Sequence, residues 1–182
     1  MIDLIIKALY FFLPAYFANM SPPIITNIKF IKKINKPIDF KRTINNKRIF
    51  GDNKTIIGFL SGIIFALIIF SIQQYLFNFD FFHRISIIDY NKFNPLFPLL
   101  LGFGAMFGDL IKSFVKRRLN ISSGSSFPIA DQLDFVVFAL IFSSFIYLPD
   151  FKIILILLIL TPFLCILINL IAFKLKLKKV WY

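Results

Sequence analysis

Long apolar stretches alternate with short basic ones along this chain. The apolar runs cover approximately residues 3–20, 56–77, 95–115, 132–149 and 151–173. Each approaches the ~20 residues a helix needs to cross ~30 Å of hydrocarbon. The first run is short and holds Lys7 and Pro14; Pro14 interrupts it and argues against a cleaved leader. The third carries Asp109 and Lys112, and the fourth carries Asp134. Pro149-Asp150 predicts a tight turn between the last two runs. The pattern predicts an all-α integral membrane protein with about five transmembrane helices in a single domain, 1–182. Gly58 with Gly62, and Gly104 with Gly108, lie four apart and let helix backbones approach closely, for which ordinary helix packing is a sufficient reason. The segment 119–130, with four Ser, Gly124 and Pro128, cannot continue a helix and is expected to form a mobile cover.

Composition supports the membrane reading. A mean hydropathy of +0.80 and 26 Phe in 182 residues exclude an ordinary soluble domain. The net charge of +12 therefore points to a membrane surface rather than to nucleic acid, because anionic head groups attract juxtamembrane Lys and Arg. The lone Cys165 lies in an apolar run and forms no disulfide framework.

Charge also predicts orientation. Segment 21–54 holds nine Lys and Arg, segment 112–118 holds four, and segment 174–179 holds four. With five spans, all three fall on one side, and only Lys7, Arg84, Lys92 and Lys152 fall on the other. By the positive-inside rule the N-terminus is outside and the C-terminus cytoplasmic, with cytoplasmic loops at 21–54 and 116–131. Asp39, Asp52, Asp109, Asp131 and Asp134 share the cytoplasmic side.

Asp109, Lys112, Ser113 and Lys116 stand at i, i+3, i+4 and i+7, one stripe of a helix. Asp131 and Asp134 stand at i and i+3 where the fourth run begins. Aspartates at that spacing suit Mg²⁺, which takes oxygen ligands and keeps substrate phosphates in its shell. An intramembrane ion pair of Asp109 with Lys112 or Lys116 explains the same spacing. At the entrance to the second run, Gly51-Asp52-Asn53-Lys54-Thr55 joins a turn-permitting glycine to two groups able to hold phosphate at a helix N-terminus. It is not a Walker A loop. His83 has no second ligand beside it in sequence and reads as an ordinary loop histidine. Asn120-Ile121-Ser122 matches a glycosylation sequon but falls on the inner side.

Taken together, these residues resemble a known family. Gly108-Asp109, Ser113, Lys116-Arg117, the Ser/Gly loop, Pro128 and Asp131-x-x-Asp134 are similar to the signature of the membrane cytidylyltransferases, which include CDP-diacylglycerol synthase. The closer resemblance is to the small five-span archaeal branch, the CDP-archaeol synthase family. Leu13-Pro14-Ala15-Tyr16 with Ala18-Asn19, Pro37-Ile38-Asp39-Phe40, Gly51-Asp52-Asn53-Lys54-Thr55 with Gly58, and Phe127-Pro128 support it. Pro128-Ile129-Ala130 stands where the bacterial enzymes tend to have His-Gly-Gly. The chain departs from the family pattern at Asn53, where Gly is expected, and at Ile57, where a polar residue is expected.

The resemblance implies a cell-membrane, multi-pass enzyme with its active site facing the cytoplasm. It would transfer CMP from CTP to a lipid phosphate, most naturally unsaturated archaetidic acid, releasing pyrophosphate. Asp109, Asp131 and Asp134 would bind Mg²⁺. Lys112, Lys116 and Arg117 would hold phosphates, with Ser113, Asp52, Lys54 and Thr55 contributing at the nucleotide. The expected partners are CTP, an isoprenoid-ether or acyl lipid phosphate and the bilayer, with a homodimer as an option and nucleic acid excluded. The competing readings are a transporter or channel with buried Asp and Lys, a scaffold with basic loops, and a CDP-diacylglycerol synthase acting on phosphatidic acid.

Overall fold

A computed structural model describes residues 2–122, 125 and 127–174. Ser123, Gly124 and Ser126 of the expected cover, and the basic tail 175–182, lie outside the described residues. Seven helices dominate: α1 (Ile2–Thr26), α2 (Lys29–Ile34), α3 (Ile56–Leu76), α4 (Asp80–Ile85), α5 (Leu96–Arg118), α6 (Ala130–Ser143) and α7 (Phe151–Lys174). Five of these, α1, α3, α5, α6 and α7, correspond to the five apolar runs. Leu60, Ile64, Ile68 and Ile72 form an exposed stripe on α3, and Leu155, Ile159 and Phe163 do so on α7. Such faces belong against lipid, where apolar side chains need no protein partner.

The bounds differ from the apolar runs in three places, each for a local reason. Helix α1 runs past residue 20 through Pro22 and Pro23. A proline cannot donate to the carbonyl four residues back, so the backbone needs substitutes inside a bilayer. Two are visible: Ser21 Oγ donates to Ala18 O, and Gln73 Nε2 of α3 donates to Tyr10 O, the carbonyl that Pro14 leaves free. Helix α5 continues to Arg118, so Lys116 and Arg117 are helical rather than part of the loop 116–131. Helix α6 ends at Ser143 instead of 149 and has 14 residues. Ser143 and Ser144 turn their hydroxyls back onto the Leu140 and Ile141 carbonyls there, and the chain leaves the helix ahead of Pro149. At 1.5 Å per residue α6 covers only about 21 Å. Four of the five helices are therefore long and apolar enough to cross a membrane alone, and α6 is the exception.

The connection between α1 and α3 is ordered, not a plain loop. Strands β1 (Thr43–Ile44) and β2 (Lys47–Arg48) form a small antiparallel hairpin. Its turn residues Asn45 and Asn46 have φ of 52° and 59°, the left-handed pair that Asn tolerates and a tight hairpin requires. Asp39 organises the segment. Its buried carboxylate accepts from the backbone N–H groups of Lys41, Phe50 and Gly51 and from the Arg48 guanidinium. Burial alone would raise the Asp39 pKa, but Arg48 and the three backbone donors outweigh it and hold the carboxyl well below its usual range. Gly51 takes a φ of 101°, which a side chain would strain, and its carbonyl accepts from Lys54 N.

Two interfaces fix the ends of the bundle. Arg118 donates to the carbonyls of Ile44, Lys47 and Arg48 and lies 5.0 Å from the Phe114 ring centre, so the hairpin sits at the C-terminal end of α5. At the opposite end Tyr90 is fully buried among Tyr10, Phe70 and Phe77. Phe93 meets Tyr147 there with ring centres 5.6 Å apart. Segments 77–95 and 144–150 therefore share one end, and the basic segment 29–54 shares the other with the α5–α6 connection.

Candidate active site

The site begins with glycine. A Cβ built on Gly104 would lie 2.5 Å from Phe138 O, and one on Gly108 would lie 2.5 Å from Asp134 O. No side chain fits there, so α5 and α6 are in backbone contact. That approach carries the first turns of α6 against the polar stripe of α5.

Six charged side chains then meet. The Lys112 ammonium lies 2.8 Å from Asp134 Oδ2, 3.1 Å from Asp109 Oδ1 and 3.4 Å from Asp131 Oδ1. Lys54, at the entrance to α3, pairs with Asp109 Oδ2. Lys116 lies 3.1 Å from Asp131 Oδ1 and also donates to the Ser125 carbonyl. Three lysines and three aspartates thus form one network with no net formal charge, drawn from the segment before α3, from α5 and from α6. The ion pair of Asp109 with Lys112 allowed by the sequence spacing is present; Lys116 pairs instead with Asp131.

The three acids are not equivalent. Asp131 is held at both oxygens, by Lys116 and by the Phe127 N–H, and so also shapes the turn before α6. Asp109 is shared between Lys54 and Lys112. Asp134 is the most enclosed, with its side chain 6% exposed, and neither of its oxygens receives a directed hydrogen bond from the described residues. Its contact with Lys112 is an attraction of charges at short range. Among the described residues no group of three Asp, Glu, His or Cys side chains is arranged to hold a metal ion; the three acids converge on Lys112.

The other expected residues divide. Ser113 is buried one turn beyond Asp109. The Arg117 Nε is buried with no hydrogen-bond partner among the described residues. Thr55 Oγ1 is occupied: it caps α3 by accepting from Gly58 N, and it accepts from Asn35 Nδ2. Asp52 stands apart, exposed and paired with Arg48. A cavity of about 30 Å³, enough for a water, lies between Lys54, Gly58, Asp109, Ile38 and Pro22. Sequence reading gave no role to Asn35, which also accepts from Ile57 N, or to the bond network around Asp39. The Asn45-Asn46 pair was the available signal for the hairpin; nothing in the sequence marked Asn35.

A charged cluster of this kind, held at one end of an apolar bundle, marks an intramembrane functional site. A model of the CarS-like family, described as CDP-archaeol synthase, matches residues 1–182. The chain is 39% identical to the CDP-archaeol synthase of Archaeoglobus fulgidus, covering 99% of both chains. It is 42% identical to that of Methanococcus vannielii, with 100% and 99% covered, and 38% identical to that of Pyrococcus furiosus, with 97% of each covered. A solved structure described as an "intramembrane enzyme for archaeal membrane lipids biosynthesis" superposes with a TM-score of 0.71 at 26% identity, over 90% of this chain and 92% of that one. The chain belongs to the CDP-archaeol synthase family and is an enzyme of the membrane cytidylyltransferase type.

Proposed function

We propose that this chain joins the CMP unit of CTP to the phosphate of unsaturated archaetidic acid, forming CDP-archaeol and pyrophosphate. The observation that carries the reading is the six-residue network at the end of the bundle that also bears the basic hairpin, in a chain that matches its family over its whole length. A lipid phosphate oxygen attacks the α-phosphorus of CTP. One P–O bond forms, the bond to the β-phosphate oxygen breaks, and pyrophosphate leaves with the electron pair. A phosphate monoester is already nucleophilic near neutral pH, so the protein needs no strong base. Its work is alignment and neutralisation of charge.

By its chemistry, though not by its resting arrangement around Lys112, the donor set suits Mg²⁺. All three acids offer hard oxygen ligands, and both Asp134 oxygens are buried outside hydrogen-bond geometry among the described residues. Asp109, Asp131 and Asp134 would hold the ion, which when bound supplies positive charge to the phosphoryl oxygens. Lys54, Lys112, Lys116 and Arg117 bind and orient phosphates. Ser113 lines the α5 stripe between them, and Thr55 keeps the start of α3, and with it Lys54, in place. The active site faces the cytoplasm, where CTP is made; segregation of the basic segments to this end supports that orientation. The aromatic packing around Tyr90 at the far end counts against an ion path through the bundle.

The test is to offer the purified protein radiolabelled CTP and Mg²⁺ with archaetidic and phosphatidic acids in parallel. Label in CDP-archaeol supports the reading. Preferential label in CDP-diacylglycerol replaces the lipid, and no label in either lipid overturns the reaction.

A further inference from the structure

We propose that Lys112 is a displaceable counter-ion: its ammonium stands in for a divalent cation among Asp109, Asp131 and Asp134, and leaves them when the cation binds. This rests on the metal assignment above and adds a role for one side chain.

Three observations carry it. First, the Lys112 ammonium is within 3.4 Å of all three acids, the position of a shared cation. Second, the acids differ in what else holds them. Asp131 keeps Lys116 and the Phe127 N–H, and Asp109 keeps Lys54. Asp134 has no cationic partner but Lys112 among the described residues, and that contact is an ion pair outside hydrogen-bond geometry. An undirected contact between charges is readily exchanged for another cation. Third, the network of three acids and three lysines is formally neutral. A dication added to it leaves two surplus positive charges in a largely buried setting, where repulsion is weakly screened. The Lys112 ammonium, nearest to all three acids, bears most of that repulsion. Lysine suits such an exchange, because its compact charge rides on a flexible four-carbon stem. Once free, the ammonium is available to a phosphate close to the acids it has left.

A permanent structural ion pair predicts different behaviour. The experiment has two readouts on detergent-purified, metal-free protein, neither requiring turnover. The first follows amine modification of Lys112 by mass spectrometry with and without Mn²⁺, using Lys47 of the hairpin as an internal reference. Displacement predicts that Mn²⁺ raises modification of Lys112 at least ~5-fold relative to Lys47. The second is Mn²⁺ binding by electron paramagnetic resonance to the wild-type chain and to Lys112→Met. Displacement predicts at least ~10-fold tighter binding by the variant, consistent with removal of a competing charge, and a melting temperature that falls without metal and recovers with Mn²⁺. Unchanged or reduced Lys112 modification in wild-type protein that does bind Mn²⁺ overturns the displacement and leaves the metal assignment standing. Absence of Mn²⁺ binding to the wild-type chain overturns both. The wild-type modification decides the matter if Lys112→Met does not fold.

Discussion

Gly108 lies against the carbonyl of Asp134 so closely that a Cβ would come within 2.5 Å of that oxygen. The contact is what sets Asp134 beside Lys112. Gly108→Ala should push α6 outward, cost about 1–3 kcal/mol of stability as an overpacking change, and lower CMP transfer at least ~10-fold. Thermal unfolding in detergent and the labelled-CTP assay measure the two effects. Gly62→Ala meets mainly the flexible Met106 side chain, so it should cost less activity.

Asp131 and Asp134 should fail in different ways. Asp134→Asn removes the acid whose one cationic partner among the described residues is Lys112 and should lower kcat by about 100-fold or more, the loss of a charge clamp worth several kcal/mol, while the fold persists. Asp131→Asn should also free the connection before α6, because Asp131 ties it to Lys116 and to Phe127 N. Limited proteolysis should therefore cut the 119–129 segment faster in Asp131→Asn than in Asp134→Asn. Equal cleavage would remove the distinction.

Asp39 gives a pH dependence with a definite sign. Its folded pKa lies below the unfolded value of about 4. Its contribution to the order of the segment is therefore complete above about pH 4 and is lost as pH falls through the folded value. Hydrogen exchange at the Phe50 and Gly51 amides, both bonded to Asp39, should stay protected at pH 5 and above in the wild-type chain. In Asp39→Asn that protection should be lost at every pH.

Gln73 replaces the donor that Pro14 lacks. Gln73→Leu leaves Tyr10 O unpaired in an apolar setting and should cost about 1–3 kcal/mol, read as a lowered melting temperature in detergent. KM for CTP should not change, since Tyr10 lies in the part of the bundle away from the acids.

Orientation is open to direct measurement. In a Cys165→Ser background, a cysteine at position 47 should react with an impermeant maleimide only after the cells are opened. One at position 80 should react from outside. Reaction of the position-47 variant in intact cells would invert the topology.

Much of this was legible because it is local. The Asp109, Lys112, Lys116 spacing is a helix stripe whatever the chain does elsewhere, and long apolar runs leave few alternatives to helices in lipid. What escaped reading depends on distant partners. Lys54 and Asp109 are 55 residues apart, and Arg118 and Ile44 are 74 apart. Gln73 reads as an odd polar residue in an apolar run until Tyr10 O stands opposite it. The early end of α6 was hidden because Phe145, Ile146, Tyr147 and Leu148 extend the apolar run beyond the helix.

The shared contacts of α5 and α6 also bear on how the chain enters the membrane. Taken singly, α5 brings Asp109 and Lys112 into lipid, and α6 brings Asp134 and is too short to cross. Each charge near a helix centre costs about 2.5–3.5 kcal/mol at the translocon. Presented together, the two helices cancel Lys112 against Asp134, and α6 covers the glycine face of α5. Pairing with α5 therefore compensates for the short span and the charge of α6, the one helix of the five that is not long and apolar enough to cross alone.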